Sequence, residues 1–140
     1  VKNVLTKHDD FPLNLNGVSI TNLNRGGTDE NDDSLILYVQ MKCLNLLLMG
    51  DASVRKEQEI MENYPDLKVD VLKIGHHGSN TSTSEAFIAH YKPKKAIISV
   101  GYKNKYGHPH RSVLEILEKY NVETLRTDYH GTIYLNSCII

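Results

Sequence analysis

Apolar residues fall into two regimes along this chain. In the first third they alternate with polar ones or run in short blocks. Val18 to Leu23 alternates, while Ser34 to Met41 (SLILYVQM) and Leu44 to Met49 (LNLLLM) are separated only by Lys42 and Cys43. A two-residue period marks a half-buried strand. Two apolar runs with so short a break predict a β-hairpin feeding a nearly all-apolar central strand. Residues 1–15 show no clear period, and residues 28–33 (TDENDD) read as an acidic loop.

Beyond Asp51 strands and helices alternate. Residues 52–64 carry Val54, Ile60 and Met61 among many charges, which predicts an amphipathic helix ended by Pro65. Val69 to Ile74 (VDVLKI) predicts a strand. Ser82 and Glu85 have the spacing of a capping box for a helix running to about Tyr91 and stopped before Pro93. Ala96 to Val100 predicts a strand, and Ser112 to Tyr120 a helix with Val113, Ile116 and Leu117 on one face. Glu123 to Thr127 and Thr132 to Leu135 predict two further strands around a turn at His130-Gly131. Short connections between alternating strands and helices imply βαβ units, so the fold class is α/β with a largely parallel sheet and an early antiparallel hairpin.

The 140 residues suffice for one domain with one core, spanning 1–140. A net charge of -1 excludes a bulk basic field, so a polyanion would have to be gripped locally. No apolar run approaches the roughly 18 to 20 residues of a membrane span. Nothing between or around Lys2 and Lys7 resembles the apolar core of a signal peptide. Cys43 and Cys138 lie far apart, without metal-motif spacing and in apolar strand-like runs, and are expected as buried thiols.

In open α/β sheets functional groups collect in loops at the carboxyl ends of strands. Here three such loops carry chemistry: Gly50-Asp51, Gly75-His76-His77-Gly78-Ser79, and the segment holding Asn104, Tyr106, His108 and His110. Asp51 taken alone is as readily a helix N-cap. Two histidines between glycines are harder to explain structurally. Side chains adjacent at a strand's end point in opposite directions, so one can face a metal and the other a substrate. Ser79 can donate to an anion or to a histidine's second nitrogen. Gly107-His108-Pro109-His110 reads either as a helix start, with Pro109 at the first helical position and His108 as an imperfect cap, or as a phosphate site. Lys103 and Lys105 add local positive charge. His8, His90 and His130 are expected in structural or surface roles, and Asp128 as a turn former.

The segments SLILYVQMKCLNLLLMGD, VDVLKIGHHGSNTSTSEAF, PKKAIISVG, NKYGHPHRSVLEIL and TDYHGTI, in this order, resemble the metallo-β-lactamase superfamily. More specifically they resemble the C-terminal domain of the ComEC family of competence proteins, bacterial DNA-uptake channels. The match covers roughly residues 34–133. The resemblance implies the second half of an αββα sandwich, a mixed sheet with flanking helices. It implies Asp51 as a carboxylate bridging two metal ions, zinc or manganese, and His77 as a ligand of one of them, with the reverse assignment of His76 and His77 left open. It implies catalytic roles for His76, His108 and His110, and phosphate contacts for Ser79, Asn104, Tyr106 and Lys105. The H-x-[HD]-x-D-H motif of that superfamily is absent, so the chain, starting at Val1, is expected to be the carboxyl-terminal part of a larger domain. Alone it is expected to bind little or no metal and to be inactive, because a catalytic zinc needs about three protein ligands.

In the longer protein the implied function is metal-assisted hydrolysis of DNA phosphodiesters. The implied setting is a domain outside the bilayer on a bacterial membrane protein, with a membrane-embedded channel in the same chain. A missing half would leave an apolar face, which favours self-association. The competing reading is a non-catalytic nucleic-acid-binding or gating module, in which Lys92, Lys94, Lys95, Lys103 and Lys105 grip phosphates.

Overall fold

The structure is a computed structural model, and it describes residues 10–136 and 138. His8, Lys2 and Lys7 lie outside the described residues. One mixed sheet of seven strands runs in sequence order: β1 (Leu13–Leu15), β2 (Val18–Asn22), β3 (Leu37–Met41), β4 (Leu44–Leu48), β5 (Val71–Lys73), β6 (Lys95–Ile98) and β7 (Glu123–Arg126). The first four pair antiparallel. From β4 onward every pairing is parallel, with α1 (Val54–Asn63), α2 (Glu85–Tyr91) and α3 (Arg111–Lys119) in the three crossovers.

The hairpin expected from the two apolar runs is β3–β4, with Met41 opposite Leu44 and Leu37 opposite Leu48. The alternation of residues 18–23 becomes β2, and β1 is a strand that the unpatterned opening residues did not announce. Leu47, Met49, Leu72, Ile74, Ala96, Ile98 and Val100 form one buried cluster with Ile60 of α1, Phe87 and Ile88 of α2, and Val113 and Leu117 of α3. Because side chains alternate along a strand, this cluster occupies one face of the sheet and all three helices cover that face. Leu46, Leu48, Val71, Lys73 and Ile97 stand on the other face. The described residues thus form an α/β sheet with helices on one side. The second sheet of a sandwich is not among them.

Five expectations need correction. The cap of α2 is Ser84, whose hydroxyl accepts from Phe87 N at 3.2 Å. Ser82 is instead buried, donating to Gly75 O at 2.8 Å and Ser79 O at 3.1 Å, so a matching capping-box spacing was overridden by loop packing. The N-cap of α3 is His110 rather than His108, and Pro109 precedes the helix. After β7 the chain forms the helical turn α4 (Thr127–His130), and no strand covers residues 132–135. Asp128 within that turn pairs with Arg126 at 2.6 Å instead of closing an Asx turn. Cys43 and Cys138 are exposed and joined in a disulfide across 95 residues of sequence. Both sit at the ends of apolar runs rather than within the buried cluster, which is why pattern alone misplaced them.

Candidate functional site

The parallel half of the sheet delivers the chemistry to one edge. β4 ends at Gly50-Asp51, β5 at a tight 3-10 turn over Gly75–Gly78, β6 at the loop 99–110, and β7 at α4. These loops are bonded to one another. Gly50 has φ +57, and a Cβ there would lie 2.7 Å from Ser34 Cβ, so only glycine lets β4 turn this close to the acidic-loop segment. Asp51 N donates to Ser34 Oγ at 3.2 Å, and His76 N donates to Gly50 O at 2.9 Å. His110 N donates to Gly78 O at 2.8 Å. Gly78 has φ +81 and a Cβ there would meet Pro109 Cβ at 2.6 Å. Close backbone approach at Gly50 and Gly78 is therefore what brings the three loops together.

His76 and His77 are not at an extended strand end. Both have left-handed backbone, φ 46 and 56, and their rings lie 6.4 Å apart with planes at 65°. They still serve two directions. His76 lines a cleft with Asp51, Ser53, Ser79, Thr81, Asp29, Glu30 and Asn31. His77 lines the adjacent one with Val100, Gly101, Asn104, Tyr106 and His108. The structure thus groups Asp51 with His76 and His77 with His108. His77 Nδ1 lies 2.6 Å from Ser99 O, an acceptor only, so Nδ1 carries a proton and donates it there.

A chain of rings links the clefts: His76 to His108 at 5.9 Å, His108 to His110 at 5.3 Å, and Tyr106 stacked on His108 at 5.8 Å. His108 is held below its ordinary pKa by partial burial first, and then by the neighbouring His110, His76 and His77, so it is neutral near pH 7. Lys73, on the helix-free face of β5, is a residue the sequence reading missed. Burial lowers its pKa, Asp51 partly offsets that, and its ammonium donates to Ile74 O at 2.8 Å. The available signal was a lysine within the apolar strand run directly before the histidine turn.

Two expected phosphate contacts have other employment. Asn104 spends its amide on Gly101 O (3.2 Å) and His108 O (2.6 Å) and its oxygen on Tyr106 N and His108 N, so it shapes the loop. Buried Ser79 pairs its hydroxyl with Thr81 Oγ1 at 3.0 Å rather than with a histidine. Lys94 and Lys95 pair with Asp70 and Glu123 at the start of β6. Together with Lys92 they lie at the opposite edge from Lys103 and Lys105, so the five lysines make no single grip. His90 bonds Pro65 O at 2.8 Å, and His130 bonds the backbone of Arg126, both structural as expected.

Behind the loops, α1 braces both walls of the Asp51 cleft. Ser53 N donates to Asp32 Oδ1 at 3.0 Å, and Arg55 pairs with the same carboxylate. Burial alone would raise the Asp32 pKa, but the bonds from Ser53 and Arg55 outweigh it and hold it at about 2. On the other wall Val54 N donates to Thr81 O at 3.0 Å, and the buried carboxylate of Glu57 accepts from Thr83 N and Ser84 N.

Among the described residues no three His, Cys, Asp or Glu side chains come together to hold a metal ion. Asp29, Glu30, Asp51 and His76 line one cleft, but no three of them come together as the roughly three protein ligands of a catalytic site, so these residues by themselves do not fit a metal centre. Among the described residues no helix is long and apolar enough to cross a membrane.

No family model matches the chain. It is similar to the ComE operon protein 3 of Bacillus subtilis, 47% identical over 104 residues, covering 74% of this chain and 13% of that protein. It is also similar to Competence protein ComA of Neisseria gonorrhoeae, 36% identical over 110 residues (78% of this chain, 16% of the relative). Recombination protein 2 of Haemophilus influenzae is 38% identical over 107 residues (76% and 13%). The chain therefore spans about an eighth to a sixth of the length of these curated relatives. These findings overturn the assignment to the metallo-β-lactamase superfamily: no family model carries it, and the relatives are named for competence and recombination.

Proposed function

We propose that the carboxyl-edge loops bind a phosphodiester of DNA, and that the chain is the substrate-facing part of a metal-dependent phosphodiesterase or nuclease-like unit in a competence protein. The observation that carries this is the convergence of His76, His77, His108 and His110 from two separate loops, with ring centroids 5.3 to 6.4 Å apart along the chain. Competence and recombination in the relatives' names support DNA as the substrate.

In this reading neutral His108 accepts or shares a proton beside the phosphate, and His77, its Nδ1 engaged by Ser99 O, has Nε2 left for the substrate. Lys103 and Lys105 attract the backbone charge. Zinc or manganese in the Asp51–His76 cleft would be completed by ligands from elsewhere in the longer protein, and would supply Lewis-acid chemistry there. The remaining length of the relatives leaves room for a channel in the same chain. The test is a DNA-cleavage assay on the longer protein that contains this chain. Asp51→Ala is expected to abolish metal-dependent cleavage; full retained activity overturns the assignment.

A further inference from the structure

Three of the exposed tyrosines of this chain stand at the same sheet edge as the histidines. Tyr102 is 71% exposed, Tyr106 66% and Tyr129 71%. Large aromatic side chains normally bury much of their surface, so three of them open to solvent in one region call for an occupant. Each also has a cationic group over its ring: Lys103 over Tyr102 at 5.3 Å, Lys105 over Tyr106 at 5.1 Å, and Arg126 over Tyr129 at 4.0 Å.

The loops that carry them are joined. Thr127 Oγ1 accepts from Val100 N and donates to Val100 O, both at 2.8 Å, tying the end of β7 to the end of β6. Tyr102, in the loop after β6, and Tyr129, in α4 after β7, each lie two residues beyond that bonded pair, past the ends of neighbouring parallel strands. Tyr106 stacks on His108 at 5.8 Å and lines the cleft of His77, so this ring adjoins the histidine cluster.

We propose that Tyr102, Tyr106 and Tyr129, with Lys103 and Lys105, form a stacking platform for single-stranded nucleic acid that leads a strand into the His77–His108 cleft; Arg126 orders the Tyr129 ring, its own charge being paired with Asp128. Exposed aromatic faces interleaved with cations suit unpaired bases and their backbone, because every base has a π-face and every phosphate a charge. A duplex hides its base faces in its own stack and can use only the cations. The platform rests on the phosphodiester-binding reading above and adds strandedness to it.

Fluorescence anisotropy of the 140-residue chain with a labelled oligothymidylate, the matching duplex and an abasic oligomer of equal length tests it. The single strand is expected to bind more tightly than the other two. Tyr102→Ala, Tyr106→Ala and Tyr129→Ala are each expected to weaken it by about fivefold or more. Tyr106→Phe, which keeps the ring, is expected to bind like the unaltered chain. Equal affinity for all three ligands, unmoved by the alanine variants, overturns the platform and leaves the phosphodiester reading standing. No binding to any of the three overturns both.

Discussion

Glu57 is 1% exposed, and its carboxylate holds the backbone amides of Thr83 and Ser84 at the start of α2, just past the histidine turn. Removing it with Glu57→Ala leaves the buried Thr83 amide and the half-buried Ser84 amide unpaired, at about 1–3 kcal/mol for a fully buried donor and less for the second. Against that stands the relief of burying a charge: burial raises this pKa, opposed by the bonds from Ser84 and Thr83. The bonds win if the loop cannot find water, and the expected net loss is about 3 kcal/mol. For a domain of this size that lowers the melting temperature by roughly 10 °C. Glu57→Gln keeps one bond and turns an NH2 toward the other amide, for an expected loss of about 1–2 kcal/mol. The sign with pH follows from the raised native pKa. Between the unfolded value of 4.5 and the native value, the native state binds more proton, so this group's contribution improves as pH falls through that window. Urea unfolding followed by circular dichroism at several pH values measures all three quantities. A Glu57→Ala loss within about 0.5 kcal/mol would refute the bracing role.

Reduction of the Cys43–Cys138 disulfide, which spans 95 residues, is expected to cost up to about 4.7 kcal/mol by the loop-closure relation; an unchanged urea midpoint in dithiothreitol would contradict the bond. Gly78→Ala forces a Cβ to within 2.6 Å of Pro109 Cβ at a positive φ, and is expected to destabilise by about 1–3 kcal/mol and to part the two histidine loops, seen as chemical-shift changes at both His76 and His108. His108 is expected to titrate below 6.5 in an NMR pH series. Because its native pKa is depressed, its stabilising contribution is present above the unfolded value and lost as pH falls through the native one. His76→Ala, by removing one of the neighbouring imidazoles that lower the His108 pKa, is expected to move it upward.

The periodic part of the sequence was the legible part. Residues 34–49 alternate or run apolar because they line a core, and the hairpin, its register and the parallel sheet beyond it follow from that. The edge carrying Asp51, His76, His77, His108 and His110 was legible for the same reason, since strand direction fixes which loops share an end. What pattern could not reach was contact between residues distant in sequence. Nothing near Glu57 announces Thr83, 26 positions away, and nothing near Cys43 announces Cys138. Asn104 and Ser79 looked free for phosphate because their partners are backbone or loop groups that only the fold brings near. Asp51 and His76 share a cleft beside left-handed backbone at adjacent histidines, a conformation that side-chain alternation along a strand does not describe.

The most direct measurement is an NMR amide-shift map of the 15N-labelled chain titrated with a 5′-phosphorylated thymidine dinucleotide. Saturable shifts centred on His76, His77, Tyr106 and His108, with the His108 ring moving toward its protonated form, are expected of a phosphodiester site at the carboxyl edge. Shifts confined to the helices or to the Lys92–Lys95 edge, or none at millimolar ligand, would contradict it.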